Sequence, residues 1–172
     1  MIKQIPSPNF TKGRKSKVSM VVIHIMAGSL IGTDNWFSQK VSSASSHYGV
    51  GFKGEVHQYV QESDTAWHSG VVKAPTIALN GANPNDIAIG IECEGSDLSK
   101  APQAQIDAII ALVEDICKRN NIPVDRQHIV GHYQINSVTR ANCPSTDKSI
   151  LDVIVKKAQS PKVCPTCGQL VA

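Results

Sequence analysis

The sequence predicts a single domain of the α/β or α+β class, with a central β-sheet and α-helices packed outside it. The chain has 172 residues, which is about the size of one domain. Apolar runs rich in β-branched residues alternate with segments of helical periodicity, and that interleaving is typical of a sheet covered by helices. The hydrophobic fraction of 41% and the charged fraction of 18% are ordinary for a globular protein.

The first central strand is predicted in VSMVVIHI, residues 18–25. This continuous apolar run fits a strand that is buried on both faces. Residues 1–17 contain two prolines among polar and basic residues, and we expect them to form an extended, solvated lead-in. After the strand, two glycines break the apolar pattern, and a short helix is expected around residues 34–39.

Further strands are expected in HYGVGFKGEVHQYV, residues 47–60, where a two-residue turn at Lys53 and Gly54 would join two of them. Glycine supplies the positive φ that such a hairpin turn requires. DIAIGIECEG, residues 86–95, is another apolar strand, and HIVGH, residues 128–132, is a short one.

Two helices complete the predicted domain. Apolar residues recur three and four positions apart over residues 102–119, which indicates an amphipathic helix packed on the sheet. Lys118 and Arg119 suit the negative end of its dipole. Residues 149–158 are expected to form the last helix.

The remaining residues, 159–172, look like an appendage to the predicted domain of residues 1–158. They contain CPTCG, whose Cys164 and Cys167 resemble half of a zinc knuckle. We interpret the pair as an unpaired remnant, a half-site completed by a second chain, or part of a docking tail.

Charge and composition argue against several classes of protein. The net charge of +3 comes without dense Lys/Arg clusters, so a nucleic-acid partner is not expected. No stretch approaches the roughly 18 apolar residues of a membrane span, and the N-terminus lacks the apolar core of a secretion signal. We therefore expect a chain without a membrane span that is cytoplasmic when synthesised. Five cysteines are a poor disulfide framework, which favours metal binding or simple burial.

Three residues stand out as candidate metal ligands. His24 and His132 each end an apolar strand, and Cys143 follows in the polar loop ANCPSTD. A lone strand histidine is more often a core residue bonded to backbone, but two strand-end histidines and a nearby cysteine can converge at one sheet edge. Three such ligands leave a fourth position for water, as in catalytic zinc sites.

Hydrolysis at such a site also needs a group that carries a proton. Glu92 and Glu94 follow the apolar strand IAIGI and point to the same face, with Cys93 on the other face. One of them could serve as general base, although both could equally be solvated charges at a strand end. The chain has no G-x-S-x-G elbow, H-E-x-x-H helix or glycine-rich phosphate loop, which disfavours serine hydrolases, common metalloproteases and nucleotide enzymes.

Six segments in the same order match a known family. They are IPSPNF, VVIHIMAG, SSHYGVGFKGEVHQYV, DTAWHSG, IGIECEG and GHYQIN…CP, and they cover roughly residues 5 to 155. On these segments the chain resembles the zinc-dependent N-acetylmuramoyl-L-alanine amidases of the amidase-2 and peptidoglycan recognition protein family. The resemblance implies a mixed, mostly parallel sheet flanked by helices, with one zinc ion in a surface groove.

The resemblance also implies roles for individual residues. His24, His132 and Cys143 match the zinc ligands of the family, and Glu92 matches its catalytic glutamate. His68, in AWHSG, matches a histidine that touches substrate, although a hydrogen-bonding role in the groove wall is an equal alternative. We expect Trp67 to form the groove wall or to lie in the core.

The chain departs from the family at two positions. Many relatives carry a catalytic lysine two residues before the third ligand, where this chain has Ala141. Arg140 could supply the missing positive charge to the oxyanion, or it could simply face solvent. Some phage members carry a tyrosine where this chain has Ser46, and Tyr48 is not expected to take over that role.

The resemblance implies hydrolysis of the amide between N-acetylmuramic acid and L-alanine in peptidoglycan. We expect a monomeric phage or prophage endolysin that acts on the cell wall after release. A cytosolic amidase that recycles anhydro-muropeptides is the alternative, and a non-catalytic peptidoglycan-binding module is disfavoured because Cys143 is present.

Overall fold

The computed structural model describes residues 1–160 and, beyond them, the backbone of two short strands at residues 162–163 and 170–171. The predicted class is confirmed: the domain is α/β, with a mixed six-stranded sheet and helices packed against it. The strands are β1 (Lys3–Gln4), β2 (Phe10–Thr11), β3 (Met20–Ile25), β4 (Tyr48–Val50), β5 (Val56–Gln58), β6 (Thr65–Ala66), β7 (Ala88–Cys93), β8 (Ile129–Gly131), β9 (Lys162–Val163) and β10 (Leu170–Val171). The helices are α1 (Leu30–Phe37), α2 (Pro84–Ile87), α3 (Gln103–Asn120) and α4 (Ser149–Ala158), with short 3-10 turns at Lys40–Ser42, Leu98–Lys100 and His132–Gln134.

The sheet has the order β1-β5-β4-β7-β3-β8. Its four strands β4, β7, β3 and β8 run parallel, and β5 runs antiparallel to β4. The predicted run at 18–25 is therefore a central strand, and all but the last residue of β3 are buried. In the register of β3 against β7, His24 lies beside Glu92.

The two faces of the sheet have different surroundings. On one face, side chains from the central strands form the main core with α3 and α4, as Ile23 and Ile91 do. Because side chains alternate along a strand, His24 and Glu92 lie on the opposite face. That face carries a smaller apolar cluster around Val22, and it leaves room for the polar groups at the ends of β3 and β7.

Local sequence signals predicted the two long helices well, but they misplaced the start of α1 and the turn between β4 and β5. The helix expected at residues 34–39 begins earlier, at Leu30, because the Ser29 hydroxyl caps it by accepting from the N–H of Gly32. The loop between β4 and β5 is wider than the predicted two-residue turn and spans residues 51–55. Gly54 has the expected positive φ of 82°, but the loop closes between the Gly51 N–H and the Glu55 carbonyl.

The lead-in is extended and mostly exposed to solvent, as predicted, but two of its residues are buried. β1 pairs with β5 and β2 pairs with β6, and Ser7 and Asn9 between these strands are buried. A strand pair of two residues leaves no periodicity in the sequence, so its partner could not be predicted. The lead-in belongs to the domain rather than preceding it.

The C-terminal end follows the prediction up to residue 158. Helix α4 has the predicted bounds, and β9 and β10 then form an antiparallel pair. Cys164 and Cys167 lie outside the described residues. Among the helices that the structure describes, none has the length and the apolar character needed to cross a lipid bilayer.

Candidate active-site groove and metal centre

A groove with a volume of about 360 Å³ opens at the carboxyl ends of β3 and β7. All seven predicted site residues line it, namely His24, Trp67, His68, Glu92, His132, Arg140 and Cys143. A larger cavity of about 760 Å³ lies at the other end of β3, near Ser19 and Met20, and contains none of them. The chemistry predicted from the sequence therefore concentrates in the smaller of the two cavities.

The three candidate ligands meet in this groove. The candidate donor atoms of His24, His132 and Cys143 all lie within 4.8 Å of one another, a cluster that could hold a metal ion. Nδ1 of His24 is 3.0 Å from Nδ1 of His132, and the Cys143 sulfur accepts from the N–H of Ile25 at 3.4 Å. The parallel pairing of β3 with β8 and the loop after β8 thus bring together residues that are more than a hundred positions apart.

Hydrogen bonds determine which nitrogen of His132 faces the cluster. Its Nε2 is 3.0 Å from the carbonyl oxygen of Ser69. A carbonyl can only accept, so Nε2 carries the proton and Nδ1 keeps its lone pair. Two nitrogens on one tetrahedral zinc ion lie ~3.3 Å apart, close to the separation of the two Nδ1 atoms, and the donor set of two imidazoles and a thiol therefore fits such an ion.

Burial favours the neutral form of both histidines, which is the form that binds metal. It lowers the pKa of His24 well below its usual value and lowers the pKa of His132 to about 4. Burial and the nearby Glu92 raise the pKa of the Cys143 thiol to about 12. A bound cation would reverse that shift, because a coordinating thiol is deprotonated.

Glu92 and Glu94 differ sharply in their surroundings. Within the described residues, Oε2 of Glu92 is sealed from solvent and has no hydrogen-bond partner. Burial raises the pKa of Glu92 to about 7, against the opposing effect of the Arg140 cation. Glu94 instead accepts from the backbone N–H groups of Leu30 and Phe52. It joins the start of α1 to the loop between β4 and β5, as expected for a structural neighbour of the candidate base.

His68 and Trp67 occupy the wall and the rim of the groove. His68 is buried, and its Nδ1 is 3.0 Å from Nε2 of His24. The sequence did not predict this contact with a candidate ligand. Trp67 stays 37% exposed and donates from its indole N–H to Thr11. A second rim tryptophan, Trp36, is 49% exposed and was missed because nothing distinguishes it locally in the sequence.

Comparison with known proteins decides the family. The sequence profile of the amidase-2 family, described as N-acetylmuramoyl-L-alanine amidase, matches residues 14–146. The chain belongs to this amidase-2 family. The prediction of an amide-hydrolysing enzyme is confirmed at this level, and the matched range contains every candidate site residue.

Two amidase-2 relatives are similar to most of the domain. The 1,6-anhydro-N-acetylmuramyl-L-alanine amidase AmpD of Haemophilus influenzae is 30% identical over an alignment of 156 residues, and the match covers 78% of this chain and 80% of that protein. N-acetylmuramoyl-L-alanine amidase A of Achromobacter lyticus is 30% identical over 110 residues, or 62% of this chain. That second match spans only 55% of the Achromobacter protein.

Solved structures share the amidase-2 fold. The crystal structure of an AmpD selenomethionine derivative has a TM-score of 0.71 at 24% identity, over 89% of this chain and 93% of that chain. AmiD from Escherichia coli, in complex with anhydro-N-acetylmuramic acid-L-Ala-D-gamma-Glu-L-Lys, has a TM-score of 0.62 at 27% identity, over 81% and 59%. A mutant endolysin from Bacillus subtilis has a TM-score of 0.67 at 18% identity, over 92% and 98%.

The structure shows where the residues at the two departures from the amidase-2 pattern lie. Arg140 lines the groove, whereas the backbone carbonyl of Ala141 accepts from the ammonium of Lys148. Lys148 also stacks on the ring of Tyr133, 4.6 Å from its centroid, so this cation braces the Cys143 loop. Tyr48 points to the helix-covered face and donates to Glu62, away from the groove.

Proposed function

We propose that this amidase-2 chain hydrolyses the amide bond between the lactyl carbonyl of N-acetylmuramic acid and L-alanine in peptidoglycan. One zinc ion, held by His24, His132 and Cys143, would be its cofactor. The observation that carries the proposal is the convergence of two imidazole nitrogens and a thiol beside a buried carboxyl in one groove. A cluster with three protein ligands matches catalytic rather than structural zinc sites.

The bound metal would polarise the scissile carbonyl and lower the pKa of the attacking water. Glu92 would take the proton from that water and return it to the departing L-alanine nitrogen. Its buried carboxyl, with a pKa of about 7, can do both near neutral pH. Its side chain shares a sheet face with His24 from the neighbouring strand, which keeps the base close to the reacting carbonyl.

The remaining groove residues would bind and orient the substrate. Among the described residues that line the groove, Arg140 is the only Lys or Arg, and its charge would stabilise the oxyanion of the tetrahedral intermediate. Trp67 is partly exposed at the rim, and its ring would stack against a sugar of the substrate. His68, in contact with His24, would orient that candidate ligand from the groove wall.

Digestion of defined muropeptides, with mass analysis of the products, tests the cleaved bond. We expect muramic acid to be released from a stem peptide that now begins with L-alanine. Chelation should abolish cleavage, and added zinc should restore it. Cys143→Ser should reduce activity by at least a hundredfold, since second-shell changes alone cost 10–100-fold. Full activity of a metal-free protein would contradict the proposal.

We propose lysis of the intact cell wall, as by an endolysin released from the cytosol, as the setting of this activity. Trp36 and Trp67 stay exposed at the groove rim, so a polymer could reach the candidate centre from the side. The similarity to AmpD favours a second candidate, cleavage of soluble anhydro-muropeptides. Parallel assays on purified cell walls and on anhydro-muropeptides separate the two.

A binding module without catalytic activity is the contrasting possibility. The presence of Cys143 beside both histidines favours catalysis. Elemental analysis of the purified protein tests this point directly, since we expect one zinc ion per chain. Sedimentation equilibrium tests the expected monomer.

A further inference from the structure

We propose that Asn85 is a positioning residue for the candidate metal centre. Its side chain fixes the His68–Ser69 segment, and this segment in turn orients both candidate histidine ligands. The inference rests on the proposed function, because it concerns the same centre. Asn85 does not line the groove, so it would act through other residues.

Asn85 holds the His68–Ser69 segment through its side-chain oxygen. Its Oδ1 accepts from two consecutive backbone N–H groups, His68 at 3.1 Å and Ser69 at 2.8 Å. These residues follow β6 and lie outside any strand, so the sheet ladder does not satisfy their donors. One carboxamide oxygen therefore satisfies two buried backbone groups at once.

The His68–Ser69 segment in turn contacts both candidate ligands, His24 and His132. The Ser69 carbonyl accepts from Nε2 of His132 at 3.0 Å, and Nδ1 of His68 lies 3.0 Å from Nε2 of His24. The two histidine rings face each other through their Nδ1 atoms. On its other side, each ring is thus held at Nε2 by one of two adjacent residues. Partners of this kind fix the tautomer and the ring orientation of metal-binding histidines.

The backbone of Asn85 is itself held in place by two hydrogen bonds. Asn83 caps the short helix α2 and accepts from the N–H of Asn85 at 3.0 Å. The Arg14 guanidinium donates to the Asn85 carbonyl at 3.2 Å. The carboxamide thus projects from a backbone that is restrained on both sides, which allows it to set the position of the segment.

Zinc affinity of the metal-free protein, measured by competition with a chromophoric chelator, tests the proposal. Asn85→Leu has a similar shape but no acceptor, and we expect its affinity to fall about tenfold, as for other changes behind metal ligands. Asn85→Asp keeps the accepting oxygen, and we expect an affinity close to that of the wild type. Asn85→Ser is too short to reach both N–H groups and should weaken binding in the same direction.

Asn120→Leu is the matched control, because the Asn120 carboxamide donates to Glu62 and to the Ile116 carbonyl at the end of α3, away from the candidate centre. Its zinc affinity should stay at the wild-type value while its unfolding midpoint falls. Wild-type affinity in the Leu variant, or in the Ser variant if the Leu variant does not fold, overturns the positioning role alone. An equal loss of affinity in Asn120→Leu also overturns it. Absence of zinc binding by the wild type overturns the proposed function together with this inference.

Discussion

Burial sets the protonation of the side chains that meet in the groove. It keeps His24 and His132 neutral, ready to offer lone pairs. The same burial raises the pKa of Glu92 to about 7 and that of Cys143 to about 12. The thiol would therefore stay protonated near neutral pH unless a cation displaced its proton. One apolar environment thus favours a metal-binding pair of imidazoles and a carboxyl that can exchange protons.

The charge of Arg140 should be visible in the pH dependence of the reaction. A general base works when deprotonated, so kcat/KM falls as the pH drops through the pKa of Glu92. Arg140 lowers that pKa, and its replacement in Arg140→Gln should therefore move the acidic limb of the profile to higher pH. A bound cation lowers the pKa in both proteins and leaves the sign of the difference unchanged.

Arg140→Lys keeps the charge and is the control, with an acidic limb at the wild-type position. An oxyanion role would add a separate effect, a lower kcat on the pH plateau of Arg140→Gln. An unshifted acidic limb in that variant would show that the Arg140 charge does not act on the base.

The close packing of the His68 loop on β7 depends on one glycine. A Cβ added at Gly90 would lie 2.6 Å from the ring of His68. Gly90→Ala should push that ring off the strand, cost about 1–3 kcal/mol of stability as overpacking does, and lower kcat/KM. Urea denaturation and the muropeptide assay measure the two effects.

Gly28→Ala is the matched control for Gly90→Ala. A Cβ at Gly28 meets only the carbonyl oxygen of Met26, at 4.0 Å, and its φ is not in the left-handed region. We expect activity and stability near the wild-type values. Wild-type behaviour of Gly90→Ala as well would mean that the loop moves away at no cost.

The elements that could be predicted are those determined by local sequence. The apolar spacing of α3 and the continuous run of β3 are local, and both elements lie within a residue or two of their predicted ends. The width of the 51–55 loop depends on the pairing of β4 with β5. Likewise, the hydrogen bonds of Asn85 join helix α2 to the loop after β6, and no periodicity in the sequence indicates them.

Arg14 joins the lead-in to the body of the domain. Its guanidinium donates to the carbonyls of Glu62, Asp86 and Ala88. Arg14→Ala should lower the free energy of unfolding of the metal-free protein by about 2 kcal/mol, since hydrogen bonds to charged groups are worth ~1.5–3 kcal/mol. Urea denaturation measures the change.

Lys15→Ala is the control for Arg14→Ala, because the neighbouring lysine is exposed. Its unfolding free energy should equal that of the wild type. An equal effect of the two substitutions would mean that the lead-in contributes only through its charge.

The candidate centre was predicted in its residue types but not in its supports. Chemistry alone suggested His24, His132 and Cys143, because few other residue types bind a soft metal, and the family resemblance supplied their convergence. Arg14 and Asn85 are not of a residue type that binds a soft metal, so chemistry alone does not single them out. Their importance comes from contacts between distant parts of the chain, which only the folded structure displays.

The register of His24 beside Glu92 has a consequence for how such an enzyme can diversify. Neighbouring strands lie about 4.8 Å apart, so the spacing between these two backbones is a property of the sheet and not of any loop. Helix α1, which carries Trp36, and the loops that carry Trp67 and Arg140 can therefore change in length and composition while that spacing holds. Different substrates can thus be accommodated at the rim while the spacing of the groups below it stays the same.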